Sequence, residues 1–192
     1  MTFVSAVGAL LVLALQGGAW QTSAPQVGIE TGPAAVTVRN MGRGGADLWR
    51  SGDAAVSGSY TVRATLRKLA GRRREGYGFI FGGRALGTDS ARYAYVMIRG
   101  DGALLVKRRD GAATPVVRDW APNSAIRPDD AEGRAENLLE VRVTPSEISV
   151  SVNGTAVATV PTAGIPTDGV TGLRISHSVE VEVRDLSVQR DR

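Results

Sequence analysis

Three dipeptides, Asp101-Gly102, Asp110-Gly111 and Asn153-Gly154, separate runs in which apolar and polar residues alternate. Asp-Gly and Asn-Gly favour two-residue hairpin turns, because both central residues of a type I′ turn need positive φ. Such hairpins join antiparallel strands, so the chain is expected to be antiparallel and all-β. Around the third dipeptide, Ile148, Val150 and Val152 alternate with Ser149 and Ser151, and the return run 155–160 carries Val157 and Val160. A strand with one apolar face needs a second layer over that face. A two-sheet sandwich follows.

At 192 residues the chain suits one domain, of a size that buries roughly two-thirds of its unfolded surface without disulfide or metal staples. The 24 glycines and the lack of sustained helical periodicity suit short strands joined by turns. Residues 3–15 are almost wholly apolar and lead into Gln16, Gly17, Gly18 and Ala19. This pattern reads as a signal peptide over residues 1–19, with export to the periplasm or beyond. The apolar run is too short to span a bilayer, so no stable membrane insertion is expected once the signal is cleaved. Residues 20–33 form a short N-terminal lead, either a linker or an edge strand through 27–29, and residues 34–192 form the sandwich domain. With no cysteine in the chain, thiol catalysis, disulfides and thiolate metal sites are excluded.

Strands are expected at 34–38, 60–67, 77–81, 93–98, 103–107, 114–117, 137–143, 148–152, 155–160, 170–175 and 179–188. The glycine-rich stretch 42–58, which holds Trp49, reads as a loop with room for one short strand. The runs 77–81 and 93–98 are apolar on both faces, as central strands with both faces covered should be. Ala94, Val96 and Ile98 are assigned to the core, and Tyr93, Tyr95 and Met97 to the opposite surface. Val179, Val181 and Val183 share one parity while Leu186 and Val188 take the other, which predicts a β-bulge at Arg184-Asp185.

The succession Gly76-Tyr-Gly-Phe-Ile-Phe81, Tyr93-Ala-Tyr-Val-Met-Ile98, Asp101-Gly102, Lys107-Arg-Arg109, Trp120, Asn137-Leu-Leu-Glu-Val-Arg-Val143 and Val150-Ser-Val-Asn-Gly154 resembles the concanavalin A-like lectin/glucanase superfamily. It is most similar to the laminin-G-like and 3-keto-disaccharide hydrolase-like branches, over residues 34–189. The resemblance implies a jelly roll with sugar-related ligands on a concave sheet or its rim. Sugar recognition needs aromatic rings and planar hydrogen-bonding groups, and Tyr93, Tyr95, Trp120, Arg84 and Arg108 supply them. The competing reading makes the tyrosines cross-strand sheet pairs and Trp120 a plug for one end of the core. The expectation is an exported carbohydrate-binding domain for a glycan or glycan-bearing partner, without metal or organic cofactor. The alternatives are a glycoside or 3-keto-disaccharide hydrolase and a non-catalytic envelope interaction module. The oligomeric state is left open.

Other constellations read as surface chemistry. Glu180 and Glu182 loosely echo the superfamily's glucanase signature, yet they are expected on a solvated strand face. His177, the only histidine, is expected in an exposed turn, and no nucleophile motif accompanies it. Asp129, Asp130 and Glu132, to which Asp89 or Asp168 could add, are enough carboxylates to suggest calcium but lack the spacing of a calcium loop, and a solvated acidic loop is preferred. Arg67, Lys68 and Arg72 to Arg74 form a basic cluster that Lys107 to Arg109 would join if the strands pair. It is read as a solvated turn, with an anionic polymer as the alternative. Neither this cluster nor the net charge of +4 singles out nucleic acid, and none is expected as a partner.

Overall fold

Strict alternation along a strand divides its side chains between two faces, and here that division builds two layers. The computed structural model describes residues 18–191, all in strands and connecting turns. The expected signal peptide, apart from its last two residues, lies outside the described residues. The strands are β1 (Trp20–Thr22), β2 (Val27–Thr31), β3 (Ala35–Asn40), β4 (Ala46–Arg50), β5 (Tyr60–Gly71), β6 (Gly76–Arg84) and β7 (Arg92–Arg99). They continue as β8 (Ala103–Asp110), β9 (Val116–Pro122), β10 (Ala135–Val143), β11 (Glu147–Val152), β12 (Thr155–Pro161), β13 (Val170–Ile175) and β14 (Val179–Arg190).

Sheet I runs β12-β11-β10-β5-β14-β3-β2 and sheet II runs β1-β4-β13-β6-β7-β8-β9. Residues 20–33 are therefore no linker: β1 is an edge of sheet II and β2 an edge of sheet I. Between the sheets, Tyr60, Val62, Ala64 and Leu66 of β5 face the layer of Tyr77, Phe79, Phe81, Ala94, Val96 and Ile98, all at most 1% exposed. Burying each large side chain there contributes about 1.5–3 kcal/mol. The expected facing of β7 holds, because Tyr93, Tyr95 and Met97 join a second apolar cluster on the far side of sheet II.

The hairpins differ among themselves. Asn153 and Gly154 both have positive φ, 52° and 82°, as a type I′ turn requires. In the other two dipeptides only the glycine does. At Asp101-Gly102 the Gly102 N–H reaches the Arg99 carbonyl at 3.0 Å, and Gly102 follows the turn as its left-handed residue, the arrangement of a three-residue loop. At Asp110-Gly111 the two-residue loop is Gly111-Ala112, closed by bonds of 2.9 and 3.1 Å between Asp110 and Ala113. Positive φ at the first central residue alone is the type II′ pattern. The dipeptides located the turns correctly, but the type I′ expectation fails at two of them because an aspartate outside positive φ leaves the glycine to reverse the chain.

The predicted bulge is present. Arg184 opposes Thr65 and Ser187 opposes Arg63, so one extra residue enters β14, and Asp185 takes φ 55°.

Loops close the two ends of the sandwich. At the Tyr60 end, the segment 162–169 accepts hydrogen bonds at Thr167 from the Tyr60 hydroxyl, at Asp168 from Arg84 and at Gly164 from Arg108. At the other end, the segment 123–134 buries Ile126 and sends Asp129 inward to Lys68, whose side chain is fully buried. This corrects two expectations. Asp129 is not solvated, its side chain being 4% exposed, and Lys68 is no part of a surface cluster. Gly100 makes room for the carboxylate, since a Cβ there would lie 2.1 Å from Asp129 Oδ2.

Candidate functional site

The outer face of sheet II collects most of the chemistry that the rest of the fold leaves unexplained. Register sets its layout. Tyr93 lies opposite Arg109, Tyr95 opposite Lys107 and Met97 opposite Leu105. On the other side, Ile80 lies opposite Tyr95, Arg174 opposite Gly78, and Asp47 opposite Arg174. Five adjacent strands, β4, β13, β6, β7 and β8, thus contribute to one continuous face. Leu86, from the β6–β7 connection, packs on its apolar cluster.

Asp47 is the centre. Its side chain is fully buried, yet it accepts a bond from Arg174 Nη1 at 2.6 Å and lies 3.7 Å from Arg109 Nη1. The Tyr93 hydroxyl donates between its two oxygens, 2.8 Å from each. A buried carboxylate is tolerable only when cations and donors replace the water it has lost, and here two guanidiniums and a phenol do so. Burial pushes the Tyr93 hydroxyl well above the usual tyrosine range, Arg174 opposes that shift and Asp47 adds to it. For Arg174, burial works downward, but the Asp47 charge and hydrogen bond, with help from the tyrosines, turn the net shift upward. Both groups are held in one protonation state.

The aromatic rings are packed rather than open. Tyr93 is 0% and Tyr95 5% exposed, their centroids lie 5.8 Å apart, and Arg174 and Arg109 sit over them at 5.6 and 6.0 Å. Tyr95 carries Arg174 on its ring, a cation–π contact. At one end of the face Trp120 is half-buried against the same cluster, and the Arg99 guanidinium stacks on its ring at 4.3 Å. A Cβ on Gly76 would meet Trp120 and Met97 at 2.8 Å. Trp120 therefore packs on the outer face and not into the core between the sheets.

The five residues singled out from sequence do not all meet. Tyr93, Tyr95 and Trp120 share the outer face of sheet II. Arg84 and Arg108 have the opposite parity and instead hold carbonyls of the 162–169 segment. Asp47 and Arg174 escaped the sequence reading, and Arg109 was named only within the basic run 107–109, its neighbour Arg108 being taken as the binding residue. Arg109 was visible by parity, since it stands two residues from Lys107 on the strand opposite Tyr93. Asp47 and Arg174 lie more than a hundred residues apart in the chain, and only sheet order joins them.

The remaining candidates lie elsewhere. Glu180 and Glu182 are on the outer face of sheet I, paired with Arg39 at 3.5 Å and Arg67 at 3.8 Å. His177 is half-buried rather than exposed, with Nδ1 3.3 Å from Glu75. Backbone hydrogen bonding from Arg134 holds the Asp130 carboxyl below its usual range, and Arg134 also pairs with Glu132 at 3.0 Å. No group of three or more metal-ligating side chains occurs among the described residues. Arg67 and Lys68 lie on β5 of sheet I and Lys107 to Arg109 on β8 of sheet II, so the strand pairing that would have joined the two basic segments does not occur.

No protein-family model and no curated protein matches the chain. Solved structures do. The carbohydrate-binding module CBM66 from Bacillus subtilis superposes with a TM-score of 0.71 at 11% identity, covering 91% of this chain and 97% of that one. The exoplasmic/lumenal domain of VIP36, in a Ca2+/Man3GlcNAc-bound form, gives 0.63 at 9% identity over 90% of this chain and 84% of that one. The Emp46p carbohydrate recognition domain, in a potassium-bound form, gives 0.60 at 11% identity over 88% of each. At such identities the likeness is one of fold. This chain has the concanavalin A-like, lectin-type jelly roll.

Proposed function

We propose that this protein is an exported glycan-binding domain whose ligand site is the outer face of sheet II, centred on Tyr95, Arg109, Arg174 and the edge of Trp120. One observation carries the reading: guanidiniums fixed on a buried carboxylate and packed against aromatic rings form a rigid array of planar donors, the kind of group that orients sugar hydroxyls. Fold likeness to carbohydrate-binding modules and recognition domains, over nearly the whole of each chain, supports it. The apolar run 3–15 supports export. Placement in the laminin-G-like and 3-keto-disaccharide hydrolase-like branches rests on the strand motifs from Gly76 to Gly154. Binding is proposed to need no calcium, because Lys68 already holds Asp129 and Arg134 holds Asp130 and Glu132.

Hydrolysis is the weaker reading. It calls for two carboxylates in separate protonation states across the bond, whereas the centre of this face offers Asp47, committed to two arginines and a tyrosine. A non-catalytic interaction module gains support from the burial of the Tyr93 and Tyr95 rings and from Met41, 65% exposed on the rim of sheet I.

The test is a glycan array probed with the purified protein, with calcium and with chelator, beside Arg109→Ala. Binding that survives chelation and drops with the variant is expected. A folded protein silent on every glycan would overturn the reading in favour of the interaction module.

A further inference from the structure

The two outer faces of the sandwich treat charge differently. On sheet I, arginines of the strands are matched with carboxylates on neighbouring elements: Arg39 with Glu180, Arg63 with Glu140, Arg67 with Glu182, Arg184 with Glu136 and Arg142 with Asp191. Such exposed cross-strand pairs leave little net field above the sheet.

On sheet II the balance is broken. Lys107, Arg109 and Arg174 surround Tyr95, and the only carboxylate among them is Asp47, held by the two arginines. That carboxylate lies at the floor with no exposed surface, whereas the arginine side chains remain 27% and 18% exposed. Lys107, directly opposite Tyr95, has no carboxylate partner among the described residues. Three cations against one anion leave two positive charges, and they are the part that an approaching ligand meets. Rim charge does not cancel the excess, because Arg99 pairs with Asp101 at 2.7 Å.

Asp47 also prepares the cations. Held on a common carboxylate, Arg109 and Arg174 lose little further freedom on binding, and a guanidinium fork matches a planar oxyanion in two-point contact. A neutral sugar would leave the two excess charges unused and would desolvate them without compensation. We infer that the outer face of sheet II selects glycans bearing an anionic group, a uronate carboxylate or a sulfate, placed against Lys107, Arg109 and Arg174. This rests on the glycan-binding reading above and narrows its ligand class.

The experiment compares polygalacturonate, dextran sulfate and unmodified dextran and mannan as ligands in affinity electrophoresis and calorimetry, at low and high salt. Lys107→Ala is the principal variant, because Lys107 holds no ion pair or side-chain hydrogen bond among the described residues whose loss could disturb the fold. Arg67→Ala, on sheet I, controls for diffuse charge. Binding to one or both acidic polymers is expected, with neutral polymers at least about tenfold weaker, since charge-assisted contacts are roughly twice as strong as neutral ones. Lys107→Ala should weaken it several-fold and Arg67→Ala should not.

Preference for polygalacturonate identifies the carboxylate as the group read, and preference for dextran sulfate identifies the sulfate. Equal losses in both variants, with binding abolished by salt, would mean mere ion exchange and overturn the proposal. Neutral glycans bound as tightly as acidic ones would overturn it while leaving the glycan-binding reading intact. A folded protein that binds none of the polymers and no glycan on the array would overturn both.

Discussion

Single residues carry the least expected features of this molecule, because two of its carboxylates are buried and each is matched to cations. Lys68 is fully buried against Asp129, whose Oδ1 has no hydrogen-bond partner. Removing one member of such a pair leaves a charge stranded, so Lys68→Met should destabilise by about 3–5 kcal/mol, whereas Lys68→Met with Asp129→Leu should recover most of the loss. Urea denaturation of the two single variants and the double variant checks this, and additive losses would contradict it. At Asp47, Tyr93→Phe deletes a buried donor and should cost about 1–3 kcal/mol by the same assay. Neither carboxylate announced itself in the sequence. Asp129 stood among polar loop residues, and nothing local marks a loop aspartate as inward-pointing. Asp47 sat in a glycine-rich stretch where only one short strand was foreseen.

Elements were the most legible scale, since their signals are local. Alternation placed the faces of β5, β7 and β10 correctly, and the switch of parity after Val183 located the bulge before any partner strand was known. Turn chemistry was half legible: the dipeptide marks the site of reversal, while the turn type depends on how the flanking strands register. These positions differ in what they demand. At φ 55° a β-branched residue meets a left-handed penalty of roughly 1–2 kcal/mol that a short polar residue such as Asp185 largely escapes, so Asp185→Val should destabilise by about that much and Asp185→Gly should be close to neutral. Asn153 has a second duty. Its side chain accepts from the Leu138 N–H at 3.0 Å and donates to the Ala125 carbonyl and to Asn137 Oδ1, both at 2.8 Å. Asn153→Gly keeps the turn but removes those bonds, at about 1 kcal/mol each net. A loss of about 2–3 kcal/mol in chemical denaturation is expected, and a neutral result would show that the turn alone matters.

For the whole molecule, the architecture followed from elements, but the site did not, because strand order is a global property. Asp47, Arg174 and Tyr93 meet only because β4, β13, β6 and β7 lie in that sequence across one sheet, an order that alternation cannot supply. Global burial also gives a property that no single strand carries. The chain has four tyrosines, Tyr60, Tyr77, Tyr93 and Tyr95, and burial pushes every one of their hydroxyls upward. In the unfolded chain they titrate near pH 10. Above that pH the unfolded state has lost protons that the folded state still holds, so protons favour folding and stability falls as pH rises. The contribution is complete below about pH 10 and declines toward the raised folded values, by about 1.4 kcal/mol per pH unit for each tyrosine. Thermal midpoints should therefore change little up to about pH 9 and drop steeply beyond about pH 10. The tyrosinate absorbance should appear together with loss of the β-sheet circular dichroism, in one cooperative step. Tyrosinate forming near pH 10 with the sheet signal intact would show that the rings are reachable by solvent in the native state, and would count equally against the packed face on which the site is built.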